Sequence, residues 1–449
     1  MESYLRIIGY GYKIMQFLTE LFPSRADYSG IKKSWRRDLL AGITVGIVAL
    51  PLALAFGITS GAGAQAGLIT AIFGGLVAAI FGGSKFQVSG PTGAMTVVLV
   101  PIIAKYGIAS LAPLGIIAGI IIILAGIFHA GNLINRTPWT VMEGFTLGIS
   151  MVIGLQQIPI ALDFPKAHGT RTANVAYDTI RNAVHAGLHW NAIFIVVLTL
   201  TVKFTYPRLA RRLKIKLHIP ASFLAIVVST LVVLIFKLKL STVGSLPSRI
   251  FNLKAISFTA LPLSALIIAA IEIALLGAIE SLLSARVADQ MAHIKSPEEK
   301  YHPNRELVGQ GLGTLFASLL GGMPATGAIA RTSVNVRSGG KTRMAAILHA
   351  IFLIAVVLLL SPIISRVPTA ALAGVLIGVS YRIASPANLL ELLKTTKLNI
   401  STIVVTSMSV LFIDLIWGII IGSIYYNIVL VISKRLQWKQ QDHSRTNVG

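Results

Sequence analysis

Long apolar runs, broken by short basic connections, set the rhythm of this chain. Ile116–Phe128, Ala221–Phe236 and Ala345–Leu360 contain no Asp, Glu, Lys or Arg. Each extends to about 20 residues, enough to cross a bilayer as a helix at about 1.5 Å per residue. Strands of a closed barrel would show shorter, alternating apolar patterns, so the spacing predicts helices. Read this way, the sequence predicts fourteen segments: about 38–59, 64–82, 91–105, 109–131, 138–157, 189–205, 217–236, 262–285, 308–320, 325–336, 343–363, 367–380, 398–413 and 414–432. The fold class expected is an all-α integral membrane protein, with 38–236 as one seven-segment half and 262–432 as the other. Segment 1–37 reads as a surface-lying amphipathic stretch without a cleavable signal, and 433–449 as a short tail.

Two of the segments, the third and the tenth, are too short for ordinary crossings and begin on matching breakers. The first reads SGPTGAM (Ser89–Met95) after Gly82-Gly83, the second MPATGAI (Met323–Ile329) after Gly321-Gly322. Proline- and glycine-broken spans in corresponding halves point to a binding site near the bilayer midplane. The residues before each Thr-Gly-Ala should be extended, and a helix should start there. In the predicted topology the third segment runs outward and the tenth inward, so two helix N-termini face each other. Unpaired N–H groups and the positive ends of two helix dipoles form an anion site. Close helix packing with a kink is the other reading of each glycine cluster.

Composition supports a membrane location: 55% of residues are hydrophobic, 12% are charged, and mean hydropathy is +0.79. The formal net charge of +23 would suggest nucleic acid in a soluble protein. Here the cations gather between segments, at Lys32–Arg37, Lys203–Lys216, Arg337–Arg343, Lys394–Lys397 and Lys434–Lys439. That distribution predicts cytoplasmic loops and termini, contact with anionic lipid, and no nucleic-acid partner. The membrane expected is the inner or plasma membrane. Loops 158–188 and 237–261 then face outward, the former carrying Asp163 and His168. With no cysteine, disulfide and thiolate chemistry is excluded.

Inside the apolar segments, charge becomes informative. Glu280 in LLGAIESLLSA and Arg331 in ATGAIARTSV would cost at least about 2.5–3.5 kcal/mol facing lipid, so both should face a cavity or a partner. Arg331, one turn after Thr326-Gly327, can hold an anion or neutralise a carboxylate. Glu280 can change charge state and is a candidate carrier of a coupling proton or cation, with Ser284 one turn on as a possible oxygen ligand. A fixed Glu280–Arg331 bridge is the structural alternative. Glu143 reads as a first-turn acid, Asp414 as a cap, and His129 and His349 as packing residues. Pro51 frees a carbonyl one turn earlier, so Ala53–Phe56 could wall the cavity, with Phe56 or Phe86 covering a ligand. No nucleotide loop, nucleophile–base set or zinc spacing is present, so neither an enzyme nor a metal centre is expected.

Four stretches together resemble the SulP family of anion transporters: DLLAGITVGIVALPLALAFGITSG (Asp38–Gly61), FQVSGPTGAMTVV (Phe86–Val98), ESLLSARVAD (Glu280–Asp289) and GQGLGTLFASLLGGMPATGAIARTSVNVRSGGKTR (Gly309–Arg343). The resemblance covers about residues 38–432. It implies a seven-plus-seven inverted repeat with core and gate domains, a homodimer, and elevator-like secondary transport of sulfate or bicarbonate. It places Arg331 beside the anion, and Gly93-Ala94 and Ala328-Ile329 at the facing helix starts. Glu280 stands where sodium–bicarbonate members carry an aspartate, and Ser284 matches their hydroxyl ligand. The longer acid keeps both sodium and proton coupling open. No cofactor is implied beyond a possible sodium ion. The usual cytoplasmic regulatory domain has no counterpart in the short stretch after segment fourteen. An uncoupled exchanger or channel for chloride, bicarbonate or dicarboxylates is the alternative on the same scaffold, and a nucleobase symporter is disfavoured by Arg331.

Overall fold

The computed structural model describes residues 21–134, 138–167, 169, 171–214, 219–246, 262–384, 396–413 and 415–446. Most of segment 1–37, His168, Asp414 and part of the 237–261 loop lie outside these residues. A helix forms at each of the fourteen predicted segments: α1 (Ile31–Ser60), α2 (Ala64–Phe81), α3 (Gly93–Tyr106), α4 (Leu111–Ile127), α5 (Trp139–Gln156), α7 (Trp190–Arg212), α8 (Ala221–Ile235), α9 (Leu263–Met291), α10 (Pro303–Leu319), α11 (Ile329–Arg337), α12 (Met344–Ile364), α13 (Thr369–Ile383), α14 (Lys397–Phe412) and α15 (Leu415–Thr446). An additional helix, α6 (Thr172–Ala186), lies within the loop expected at 158–188. Among the described residues, eight helices are long and apolar enough to cross a membrane and four more are shorter apolar helices. The protein is therefore a multi-pass membrane protein.

Two helix groups pack side by side. The first contains α1–α4 and α9–α12, the second α5, α7, α8 and α13–α15. Contacts of α1 with α8 and α13, and of α3 with α5, join the groups. Small residues set the tight approaches within the first group. A Cβ on Gly67 would lie 2.0 Å from the Ala53 carbonyl oxygen, so α1 and α2 touch backbone to backbone. Midway along α2, residues 70–74 form a π turn, where Thr70 Oγ1 donates to Met323 O at 2.8 Å and accepts from Met323 N.

Polar side chains lock the basic end of this group. Asp27, in a 3₁₀ turn before α1, pairs with Arg305 at 2.5 Å and Arg343 at 3.2 Å. Arg343 also donates to the carbonyls of Ala79, Ile80 and Gly82. Asp38 accepts from Lys341 N, Thr342 N and Thr342 Oγ1, pinning the turn before α12. Two cations counted above as loop charge are thus corrected. Arg343 is buried in the clamp, and buried Lys203 donates to Val375 O at 2.6 Å. Glu143 lies beyond the first turn of α5, not within it.

Burial pushes the Asp27 carboxyl up. The Arg305 hydrogen bond, the Ser24 N–H and the charges of Arg305 and Arg343 outweigh it and bring it down from 3.8 to about 2. A depressed folded-state pKa stabilises above the unfolded value and is lost as pH falls through the folded one. Melting of the detergent-solubilised protein should show Asp27→Asn less stable by a constant margin above about pH 4, the margin closing toward pH 2. A margin independent of pH across that window would remove the charge pairing as its cause.

Candidate anion site

The breakers before α3 and α11 do more than interrupt helices. Ser89–Gly90 (β1) and Thr326–Gly327 (β2) form a two-residue antiparallel ladder, pairing Ser89 with Gly327 and Gly90 with Thr326. Because the strands are antiparallel, α3 and α11 leave the ladder in opposite directions, their N-termini turned toward it. Neither start has a side-chain cap: Thr92 and Ala328 occupy the cap positions without capping. Each helix therefore keeps uncapped N–H groups and its positive dipole end beside the ladder.

Buried polar groups hold the extended approach in place, as irregular backbone at this depth requires. Glu306 accepts from Ser84 N at 2.9 Å and from Gln87 Nε2 at 2.5 Å. Asn335 Nδ2 donates to Phe86 O at 2.7 Å, and Thr332 Oγ1 accepts from Val88 N at 3.1 Å. On the other strand, Ser281 Oγ accepts from Gly327 N at 3.0 Å and lies 3.2 Å from Thr326 Oγ1. Thr92, having no cap to make, donates its hydroxyl to Glu280 Oε2 at 2.8 Å.

The residues expected from sequence separate into two sets. Gly93, Ala94 and Ile329 stand at the uncapped starts. Thr326 and Gly327 build the ladder instead, and Ala328 joins it to α11: the Gly327 N–H is held by Ser281, and the Ala328 N–H donates to Val88 O at 3.2 Å. Arg331 is buried beside the ladder and donates to Ser89 O at 3.4 Å and to Pro91 O. Its Nε has no partner, so the guanidinium keeps donor capacity beyond those two carbonyls. A Cβ on Gly90 would sit 1.9 Å from Arg331 Nη1, which explains glycine at that position. Among the described residues no ion pair joins Glu280 to Arg331, whereas Asp27 pairs with both Arg305 and Arg343.

Three of the expected residues have further neighbours in the structure. Ser284 donates to Thr332 Oγ1 at 3.1 Å, so the hydroxyl beside Thr326 is Ser281. Phe86 is buried and anchors the approach through its carbonyl, while Phe56 reaches the start of α3. A Cβ on Gly93 would lie 3.4 Å from Phe56 Cε1 and 2.1 Å from Ile153 Cδ1, so Ile153 of α5 lies over the same start. Pro51 faces an apolar groove between the helix groups rather than the ladder. Beyond Ile153, a cavity of about 750 Å³ runs past Val97, Val100, Gln156 and Asp163, one turn further along α3. Ser281, Ile153, Glu306 and Asn335 carried no sequence signal. Each acts through a tertiary contact rather than a motif.

The family model described as the sulfate permease family matches residues 35–406. The chain is 34% identical over 396 residues to the putative sulfate transporter YvdB of Bacillus subtilis, covering 87% of this chain and 72% of that protein. It is 30% identical over 355 residues to the bicarbonate transporter BicA of Picosynechococcus, covering 76% of this chain and 60% of that protein. Among solved structures, the transmembrane domain of a cyanobacterial BicA superposes with a TM-score of 0.75 at 28% identity, covering 88% of this chain and 97% of that one. SLC26A9 superposes with a TM-score of 0.82 at 18% identity, covering 94% and 70%, a likeness of fold.

Proposed function

The chain belongs to the sulfate permease family, and from that membership and its two uncapped helix starts we propose that it is a secondary transporter of a small anion, sulfate or bicarbonate. The observation that carries the reading is the pair of cap-free N-termini flanking one ladder beside a buried arginine. Such a site offers N–H donors and positive potential without needing a particular ligand shape.

The inverted-repeat reading is supported by the way helix contacts come in exchanged pairs. If α1 corresponds to α9, and so on through the segments, the α1–α12 contact matches α9–α4. Likewise α5–α14 matches α13–α7, and α14–α15 matches α7–α8. On this reading the first helix group is a core that carries the anion past the second, the gate, in an elevator-like movement. Ile153 and Phe56 cover the α3 start in the conformation seen, and core movement would uncover it. Cytoplasmic termini and a homodimer complete the proposed arrangement.

Coupling falls to Glu280. Its carboxylate, with the hydroxyls of Thr92, Ser281 and Thr326 around the same strand ends, is a set of hard oxygen donors suited to a proton or a sodium ion. Labelled sulfate and bicarbonate should be offered to proteoliposomes under separate sodium and proton gradients. Concentrative uptake driven by one gradient is expected, and Glu280→Gln, which keeps the Thr92 hydrogen bond, should abolish that dependence. Uptake that only equilibrates would assign exchange or channel behaviour. A Gln variant that still concentrates the anion would take coupling away from Glu280.

A further inference from the structure

The groove that Pro51 faces lies where the two helix groups meet. It has a volume of about 360 Å³, and its walls come from α1, α8 and α12, with Leu372 of α13. Every wall residue except Thr230 is hydrocarbon, and Leu231, Leu234, Leu360 and Ile363 are exposed along it. Water has no partner in such a groove, whereas a chain of methylenes does. The groove opens among membrane-spanning helices, where the surrounding solvent is itself acyl chain.

One end of the groove is chemically distinct. It closes where α8 and α12 end, with Leu234, Ile364 and Val367 on its wall. The backbone beyond α8 crosses that beyond α12 there: Val243 N donates to Val367 O at 2.9 Å and Gly244 N to Ser365 O at 3.2 Å. Arg366 lies in this crossing, and Lys237 and Lys239 lie on the stretch that leads into it from α8; all three are exposed and none belongs to the ion pairs of the described residues, while the acid at this end, Asp163, accepts from Ser241 N. Cations at the polar end of an apolar slot match the head and tail of an anionic lipid.

We propose that the groove between α1, α8 and α12 is a binding site for an anionic phospholipid, whose acyl chain fills the slot while Lys237, Lys239 and Arg366 hold its phosphate. The site joins both helix groups, so the lipid would lie across the seam between them. The proposal rests on the membrane-spanning fold and this groove, not on the transported substrate.

The test is photo-crosslinking in vesicles containing phosphatidylglycerol with a diazirine in its acyl chain, read by peptide mass spectrometry. Peptides covering Phe223–Leu234 and Phe352–Ile364 should be labelled above the lipid-exposed face of α4 at Ile120 and Leu124. Thr230→Trp, which fills the slot, should lose that excess, and Leu360→Trp provides the same test should the first fail to fold. Replacing Lys237, Lys239 and Arg366 together by Gln should reduce phosphatidylglycerol labelling to that of the matching phosphatidylcholine probe. Labelling equal to the α4 control, or unchanged when the slot is filled, would mean ordinary boundary lipid and overturn the site. Equal labelling by both probes in the parent protein would overturn the headgroup assignment.

Discussion

Arg331→Ala should reduce anion uptake to the background of empty vesicles, while the protein still inserts and elutes as a folded species. The side chain contributes positive charge beside the two helix starts, and it holds the Ser89 and Pro91 carbonyls that lead into α3. Removing one member of a buried charged contact costs about 2–5 kcal/mol, or roughly 30-fold to several thousandfold in affinity. Arg331→Lys separates the two roles. A lysine keeps the charge but lacks the planar fork that reaches two carbonyls at once. It should retain weak uptake with a raised KM. Normal uptake in the alanine variant would remove Arg331 from the site, and equal loss in both variants would make the carbonyl-holding role dominant.

Glu306→Ala should be the most damaging change outside the helix starts. Glu306 is buried in α10 and accepts from Ser84 N and Gln87 Nε2, the groups that position the approach to β1. Each donor left buried without an acceptor costs about 1–3 kcal/mol. The approach also contributes Val88, whose carbonyl fixes the Ala328 N–H, so both helix starts should lose register together. The expected result is a lowered melting temperature together with lost uptake. Glu306→Gln keeps one acceptor oxygen and should fall between. A Glu306→Ala protein with parental melting and uptake would show that the approach is held by its other contacts alone.

Much of the helix pattern was legible because membrane spans are local: an apolar run of the right length needs no partner to be recognised. The half-helices were legible for the opposite reason, since Pro91, Gly93 and Gly327 are breakers inside runs that should otherwise have crossed. Boundaries failed where polarity was mistaken for a loop. The ninth segment was expected from 308, yet α10 begins at Pro303, because Arg305 and Glu306 are buried against Asp27 and the 82–88 approach. Helix α6 was missed because its amphipathic stripe sits in a segment with ordinary loop composition. At the site, Arg331 and Glu280 stood out as charges in apolar surroundings. Ser281 did not, because helical spacing from Glu280 pointed to Ser284, whereas only the ladder brings the Gly327 N–H to Ser281. Lys203 and Arg343 looked like loop cations and proved to be internal clamps, a difference that depends on α13 and α2 lying against them.

The interlocking of the two halves also sets a timetable for biosynthesis. Arg331 meets the carbonyl of Ser89 across 242 positions of sequence, and Asp38 meets the Lys341 N–H across 303. At about 5–20 residues per second, a ribosome needs roughly 12–50 s to travel the first of these distances. Throughout that interval the early half is in or near the bilayer with an acid, an amide and a broken strand whose partners have not been made. It cannot complete its fold alone. Residues 82–92 therefore wait for their partners until α10 and α11 emerge, so the nascent chain is most exposed to quality control while the residues between Ser89 and Arg331 are being added.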